Sequence, residues 1–484
     1  MSFRSFVITL LFLCVFYMGL NTPLDPDTWW HLRAGEAVLQ TGAIPKTDSY
    51  SFTRAGEPWL YPSMAWLSQV QLYAVYSLLG LGGLNLWAAV LVTLAFAFIY
   101  NAMSGPPLLR AFVLVLAVTA SGLYWAARPY MVSFVLSAAF LWILEDYRWG
   151  RANRLLWLPL LMAVWVNSHP GFAMGFLVVG TYLAPQLLAW LVGLWRRQPD
   201  AEALRRLKQL GLVVLGLLLG ACLNPSGPAM LAYPFQTVSI GVLQDHIIEW
   251  QSPNFHALNT LPFALLLFLA LGVVGASGLG LALTDFLLLA GFGYMSLLAA
   301  RNIPAFALAA PLVLARHAEA GLARLARQFA WQPGPPITAR WTRGLHLAVV
   351  LLGVLVIGLK AAEHFDEETR AERLASNLPI GAVEYLRKQR PQGRLFNSYN
   401  WGGYLIWALP EYPVFTDGRT DLYGDELLTD WLDVVRADPG WQSLLESYAI
   451  DLILLEKHWP IVPLLPFYDW QVLYEDELSI LYGR

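Results

Sequence analysis

Charge is what this chain has least of. Only 13% of its 484 residues are charged, against roughly a quarter in a soluble protein of this size, while 57% are hydrophobic and the mean hydropathy is +0.50. That balance excludes an ordinary soluble globule and specifies a polytopic membrane protein. The net charge of −3 carries no information, and no basic surface suggests a nucleic-acid partner. Cysteine is nearly absent too. Cys14 and Cys222 both lie in apolar runs, where they read as span residues and not as a disulfide. No internal repeat or low-complexity tract stands out. The N-terminal "MSFRSFVITLLFLCVFYMGL" has a short basic start, but no small-x-small site precedes Asn21. It reads as a retained first span and not as a cleaved signal.

What is abundant is apolar sequence in lengths that cross a bilayer, roughly 20 residues each. Spans are expected at about 5–20, 84–103, 109–126, 131–146, 155–168, 171–194, 209–223, 260–276, 279–297, 302–315 and 345–361. Segment 62–80 is ambiguous, because Ser63, Ser68, Gln69 and Gln71 interrupt it. Lys/Arg bias sets the orientation. With a cytoplasmic N-terminus, inner segments hold fifteen basic residues, among them Arg148, Arg205 and Arg316. The outer loops hold five: Arg33, Lys46, Arg54, Arg128 and Arg301. The expectation is an eleven-span domain over 1–362, with a first outer loop at 21–65 and an extracytoplasmic tail over 363–484. In the tail, "GRLFN", "YPVFTD", "DLILLE", "WQVLYED" and "LSILYG" read as strands. "PIGAVEYLRKQ", "GDELLTDWLDVVR" and "GWQSLLESYA" read as helices between them. That alternation argues a small α/β domain.

With this orientation the unusual polar residues collect on one side. The first outer loop, "NTPLDPDTWWHL" onward, carries Asp25, Asp27, His31, Arg33, Glu36 and Asp48. Later outer loops carry Arg128, Asn167 and His169, then Asn224, Asp245, His246, Glu249 and His256, and lastly Arg301 and Asn302. Ionisable groups at the membrane edge are costly, and they persist where they face a cavity or a partner. Each also has a plainer reading. Asp27 precedes a helix that ends at Gly42, so it either caps that helix or caps it and serves chemistry or a metal as well. Asp25, before Pro26, is pushed extended and is either solvated or chemical. Trp29 and Trp30 read as interfacial anchors. His31 is an interfacial residue or a ligand or proton carrier. Arg128 and Arg301 touch lipid headgroups or grip a phosphate, whose oxygens match the guanidinium fork. Glu249 and the nearby histidines are loop surface, or supply a second acid or a metal ligand.

The string "LDPDTWWHLRAGEAVLQTGAIPKTDSYSFTRAGEPWLYPSMAWL", an acidic cluster just after the first span followed by an amphipathic helix, resembles the GT-C superfamily of membrane glycosyltransferases. "ARPY", "WVNSHPGF", "CLNPSG", "IIEWQSP" and "FNSYNWGGYLIW…VFTDGRTDLYG" extend the likeness to a bacterial branch with many spans and an outward tail. The resemblance implies an inverting enzyme in the cytoplasmic (inner) membrane. Its donor would be a polyprenyl-phosphate sugar and its acceptor is not named by the sequence. Asp25 or Asp27 would be the catalytic carboxylate, either as base or as ligand of a divalent cation such as Mg or Mn. His31, Arg128, Asn167, His169, Glu249 and Arg301 would bind substrate and phosphate. Better-known members place two adjacent acids where this chain has "DPD". Trp401, Asp417 and Arg419, in or beside tail loops, are candidates for the acceptor side or for a turn network built on Gly402, Gly403 and Gly418.

Chemistry agrees with this set. An alcohol attacks well only as its proton leaves, and the departing phosphate needs Arg or a metal against it. No glycine-rich phosphate loop appears on the cytoplasmic side, which disfavours a sugar nucleotide donor. The alternatives are a lipid-carrier or polysaccharide transporter, or an assembly subunit. Against transport, Asp285 is the main acid inside a span, and transporters hold ionisable sites at mid-membrane.

Overall fold

A backbone crossing hydrocarbon must bond its own polar groups, which leaves helices for a chain of this composition. Helices fill most of the computed structural model, which describes residues 1–21, 25–238, 241, 248–329 and 340–484. Among the described residues eight helices are long and apolar enough to cross a membrane, and Trp157–Val166 and Leu283–Leu298 are shorter apolar ones. Each expected span overlaps a helix. The ambiguous segment is helical as well, opening the helix Pro62–Ala102, which is interrupted at Gly80 (φ 62°, ψ −158°). Contacts divide the chain into two compact units, one of Met1–Pro23, Asn85–Leu231 and Ile248–Ala361, the other of Leu24–Leu84, Ala232–Ile247 and Ala362–Arg484.

The first unit is all helical. Small residues let its helices touch backbone to backbone, as membrane helices do when hydrophobic drive is weak. A Cβ added to Gly19 would lie 2.7 Å from the Ala89 Cα. Its costliest feature is an ion network joining three helices. Arg148, at the end of Tyr130–Arg148, donates to Asp285 at 2.6 Å and to Glu145 at 3.1 Å. Arg316, on Ile303–Gln328, donates to the other Asp285 oxygen at 2.6 Å and lies 3.4 Å from Glu145. Tyr182 and Trp149 also donate to Glu145. Asp285 is therefore one member of a paired quartet of two acids and two arginines, which is how a buried charge survives. Asp285→Asn leaves two guanidinium groups short of a partner, a loss of about 3–5 kcal/mol for a buried pair broken on one side. Thermal unfolding of the detergent-purified protein should read this as a clearly lowered midpoint.

The second unit holds the first loop and the tail together. A four-stranded sheet in the order β1-β2-β4-β3 is built from β1 (Arg394–Asn397), β2 (Ile450–Glu456), β3 (Gln471–Glu475) and β4 (Ser479–Gly483). β1 runs parallel to β2, and the other pairs are antiparallel. Phe396, Ile453, Leu455, Ile480 and Tyr482 from the strands bury against Leu427, Trp431 and Val435 of the helix Thr420–Arg436. Four of the five expected strands are present. The fifth, "YPVFTD", is not a strand. Pro413 has no N–H to give a ladder, and the segment makes one isolated parallel bridge, Val414 to Ser51. "NWGGYLIW" lies not in a loop but in the helix Tyr399–Ala408. The first-loop helix Thr28–Thr41 ends at Gly42 in the left-handed region (φ 67°), as the sequence suggests.

Candidate active site

The acidic turn comes first. Asp25 Oδ1 accepts the Asp27 backbone N–H at 2.9 Å, and the Asp25 carbonyl accepts from Thr28 N at 3.0 Å. Asp25 thus forms the turn that starts the helix, a role the extended residue before proline still permits. Asp27 stands at the N-cap position, but its side chain makes no cap hydrogen bond, so the capping expectation is corrected. Its Oδ1 accepts the indole N–H of Trp30 at 3.0 Å. Three residues on, one helical turn places the Trp30 ring over the acid. Trp29 and Trp30 are each 3% exposed and packed within protein. His31 is buried beside them, its ring 3.6 Å from that of Trp30 and its Nδ1 3.3 Å from Gln69 Nε2.

A buried clamp lies next along this unit. The Arg419 guanidinium donates to Asp417 through Nε at 2.8 Å and Nη2 at 2.6 Å, and through Nη1 to Asp48 of the first loop. The side chains of all three have no exposed surface. The ring of Trp59 lies 4.7 Å from the guanidinium carbon. Burial holds the Tyr423 hydroxyl protonated, so it donates to Asp417. Thr53 Oγ1 donates to the Phe415 carbonyl at 2.7 Å, and Arg54 Nη2 to that of Tyr423 at 2.7 Å. Trp401 is buried, donating through Nε1 to the Asn377 carbonyl at 3.1 Å. The Asp48–Arg419 pairing joins residues 371 positions apart, and no local pattern in the sequence announces it.

The first unit carries a separate cluster, two arginines on one carboxylate. Glu249 takes Arg128 Nη2 at 3.2 Å and Arg301 Nη1 at 3.6 Å, and Arg301 stacks on Trp250 at 4.1 Å. Burial alone would push the Glu249 carboxyl up, but Arg128 and then Arg301 hold it below the usual range. His169 Nδ1 accepts the Gly171 N–H at 2.9 Å. Ser133 Oγ lies 2.8 Å from the same nitrogen while accepting from Trp165 Nε1 at 2.7 Å, so its own proton turns to Nδ1. The imidazole proton then sits on Nε2. Burial first, with Arg301 and Arg128 beside it, lowers the His169 value to about 3, and the ring is neutral at physiological pH. Asn167 donates to the carbonyls of Leu223 at 2.6 Å and Ala163 at 2.8 Å, and Asn302 donates to that of Met295 at 2.9 Å. Both satisfy helix-end carbonyls. Asp245 and His246 lie outside the described residues.

For a divalent ion, no group of three or more His, Cys, Asp or Glu is placed to hold one among the described residues. Asp25 and Asp27 still offer the hard oxygens that Mg²⁺ prefers. Mg²⁺ is held by one or two carboxylates plus substrate phosphate and water, so the pair fits that mode and not a full protein cage.

The His169 environment makes a pH prediction. Its folded value lies below the ordinary 6.5, so the unfolded chain binds more protons as the medium is acidified. Stability is full above about pH 6.5 and is lost toward pH 3 by up to about 1.4 kcal/mol per unit. Thermal midpoints of His169→Asn should fall less steeply between pH 7 and 4 than those of the wild type.

No protein-family model and no curated protein matches the sequence. Solved structures do. The archaeal oligosaccharyltransferase AglB from Archaeoglobus fulgidus, in complex with an inhibitory peptide and a dolichol-phosphate, aligns with a TM-score of 0.56 at 11% identity, over 100% of this chain and 75% of that one. An Archaeoglobus fulgidus oligosaccharyltransferase tethered through a disulfide bond to an acceptor peptide with the NVT sequon gives 0.53 at 11% identity, over 100% of this chain and 74% of that one. The arabinofuranosyltransferase AftD from Mycobacteria gives 0.51 at 14% identity, over 100% of this chain and 40% of that one. At such identities the likeness is one of fold, and the fold is that of the GT-C membrane glycosyltransferases.

Proposed function

We propose that this protein transfers a sugar from a polyprenyl-phosphate carrier to an acceptor hydroxyl or amide at the outer face of a bacterial cytoplasmic membrane. The observation that carries the reading is the Asp27 carboxylate, which opens a helix without capping it and is held by the Trp30 indole instead. That carboxylate stands in the first loop, where the resemblance places the reacting acid. Asp27 is therefore the first choice as general base, and Asp25 shapes the turn that presents it.

In the reaction an acceptor oxygen or nitrogen attacks the anomeric carbon while its proton passes to an Asp27 oxygen. The bond from that carbon to the phosphate oxygen breaks, its electron pair leaves with the carrier phosphate, and the anomeric centre inverts. A divalent ion on Asp25 and Asp27, when bound, would supply positive charge against that phosphate. For the phosphate itself the candidates are Arg128 and Arg301, whose forks already receive a carboxylate. Glu249 sets their spacing, and His169 offers a neutral Nε2–H. His31 and Asn167 would act through the packing they hold. Trp401, Asp417 and Arg419 are buried, so any part they take in acceptor choice passes through the loop they brace.

The test is transfer from a labelled polyprenyl-phosphate sugar by reconstituted protein. Asp27→Asn should lower kcat by about 10²–10⁴-fold, the range for a lost general base, and Asp25→Asn by less. Undiminished transfer in both variants sinks the assignment. Movement of carrier lipid without transfer would favour transport. The orientation is tested apart from activity, in a background with Cys14 and Cys222 replaced by serine. Ser447→Cys in the tail should react with an impermeant maleimide on intact cells, and Ala201→Cys should react only after lysis.

A further inference from the structure

The tail turn meets the acidic turn at a glycine. A Cβ built on Gly418 would lie 1.8 Å from Asp27 Oδ1 and 2.9 Å from its carboxyl carbon. Those distances mean that the Gly418 backbone and the Asp27 carboxylate are in direct contact. Backbone conformation does not call for glycine here, because Gly418 has a negative φ. The carboxylate does.

A second approach of the same kind falls on the preceding residue. A Cβ on Gly403 would lie 2.4 Å from the Pro26 carbonyl oxygen and 3.3 Å from Trp30 Cδ1. Behind these, a Cβ on Gly402 would meet the Thr416 carbonyl at 2.2 Å and Asp417 Cβ at 2.5 Å. The helix Tyr399–Ala408 and the 416–419 turn thus press a face without side chains onto the acidic turn. The turn itself is held firmly. Arg419 N donates to Asp417 Oδ1 at 3.0 Å, Thr420 N donates to the Gly418 carbonyl at 2.9 Å, and the guanidinium anchors Asp417 and Asp48.

We infer that the Asp417–Gly418–Arg419 turn is a positioning device for the Asp27 carboxylate, with Gly418 its seat and the Trp30 indole its opposite wall. This rests on the reading of Asp27 as the reacting acid, and it assigns the tail a part in catalysis that does not involve touching substrate. A side chain at 418 would push Asp27 off the indole, and misplacement by an ångström is costly in rate.

Two measurements decide it. The first is a stability cycle that needs no activity. Gly418→Ala should lower the thermal midpoint of the wild type but cost little in an Asp27→Ala background, where the clashing carboxylate is gone. Equal losses in both backgrounds overturn the inference. The second is kinetic. Gly418→Ala should lower kcat by about a hundredfold with the donor KM held within about twofold. Wild-type kcat in Gly418→Ala also overturns it. If the wild type transfers nothing, the proposed function falls, while the stability cycle still decides the contact.

Discussion

One arginine without exposed surface organises the second unit. Burying a guanidinium is tolerable only when its donors are met by acceptors of opposite charge. Arg419 reaches Asp417 two residues back and Asp48 far up the chain, with Trp59, Tyr50 and Tyr423 around it. Removing the arginine leaves two carboxylates without their shared cation in a dry interior, and removing either acid leaves guanidinium donors unmet. The first loop, which would otherwise be a long irregular excursion, is thereby tied to the tail's sheet and helices. The Thr53 and Arg54 bonds to tail carbonyls extend the same tie along the loop.

The helical unit solves the same problem differently. There the buried charges form a closed quartet, so neither acid nor base is left over. Asp285, the acid that most resembled a transport site, has both carboxylate oxygens occupied by arginine. The Arg128–Glu249–Arg301 set is more open, with side chains about a fifth to a third exposed. An ion pair of that exposure adds little to stability. An arrangement that contributes little to the fold and yet gathers two forks on one anion is suited to exchanging that anion for another. Next to it, His169 stays neutral, a donor whose hydrogen bond does not depend on the pH of its surroundings near neutrality.

Much of this was legible in the sequence, and the limits are physical. Spans were legible because a run of apolar residues has few other fates, and the helix from Thr28 to Gly42 because its start and stop signals are local. The strand expected at "YPVFTD" failed because partner geometry, not composition, makes a strand, and Pro413 withholds a donor. Asp27 as a cap failed because capping depends on a side-chain rotamer, and the indole of Trp30 offered the carboxylate a different partner. Trp29 and Trp30 read as lipid anchors from their type alone, whereas burial depends on what folds over them. The Asp48–Arg419 pair and the Gly418 contact were invisible, since each joins segments hundreds of residues apart.

The contrast between two acids on either side of the close approach explains why the assignment falls on Asp27. Asp417 receives the guanidinium through both oxygens, so its lone pairs are committed to Arg419. Asp27 is held by an indole N–H and by contact with a glycine backbone. Both fix its position. A general base must be held without being neutralised, since its affinity for the acceptor's proton is what it contributes. With the arginine on Asp417 and the Gly418 backbone against Asp27, the charged clamp fixes the turn that the carboxylate rests on.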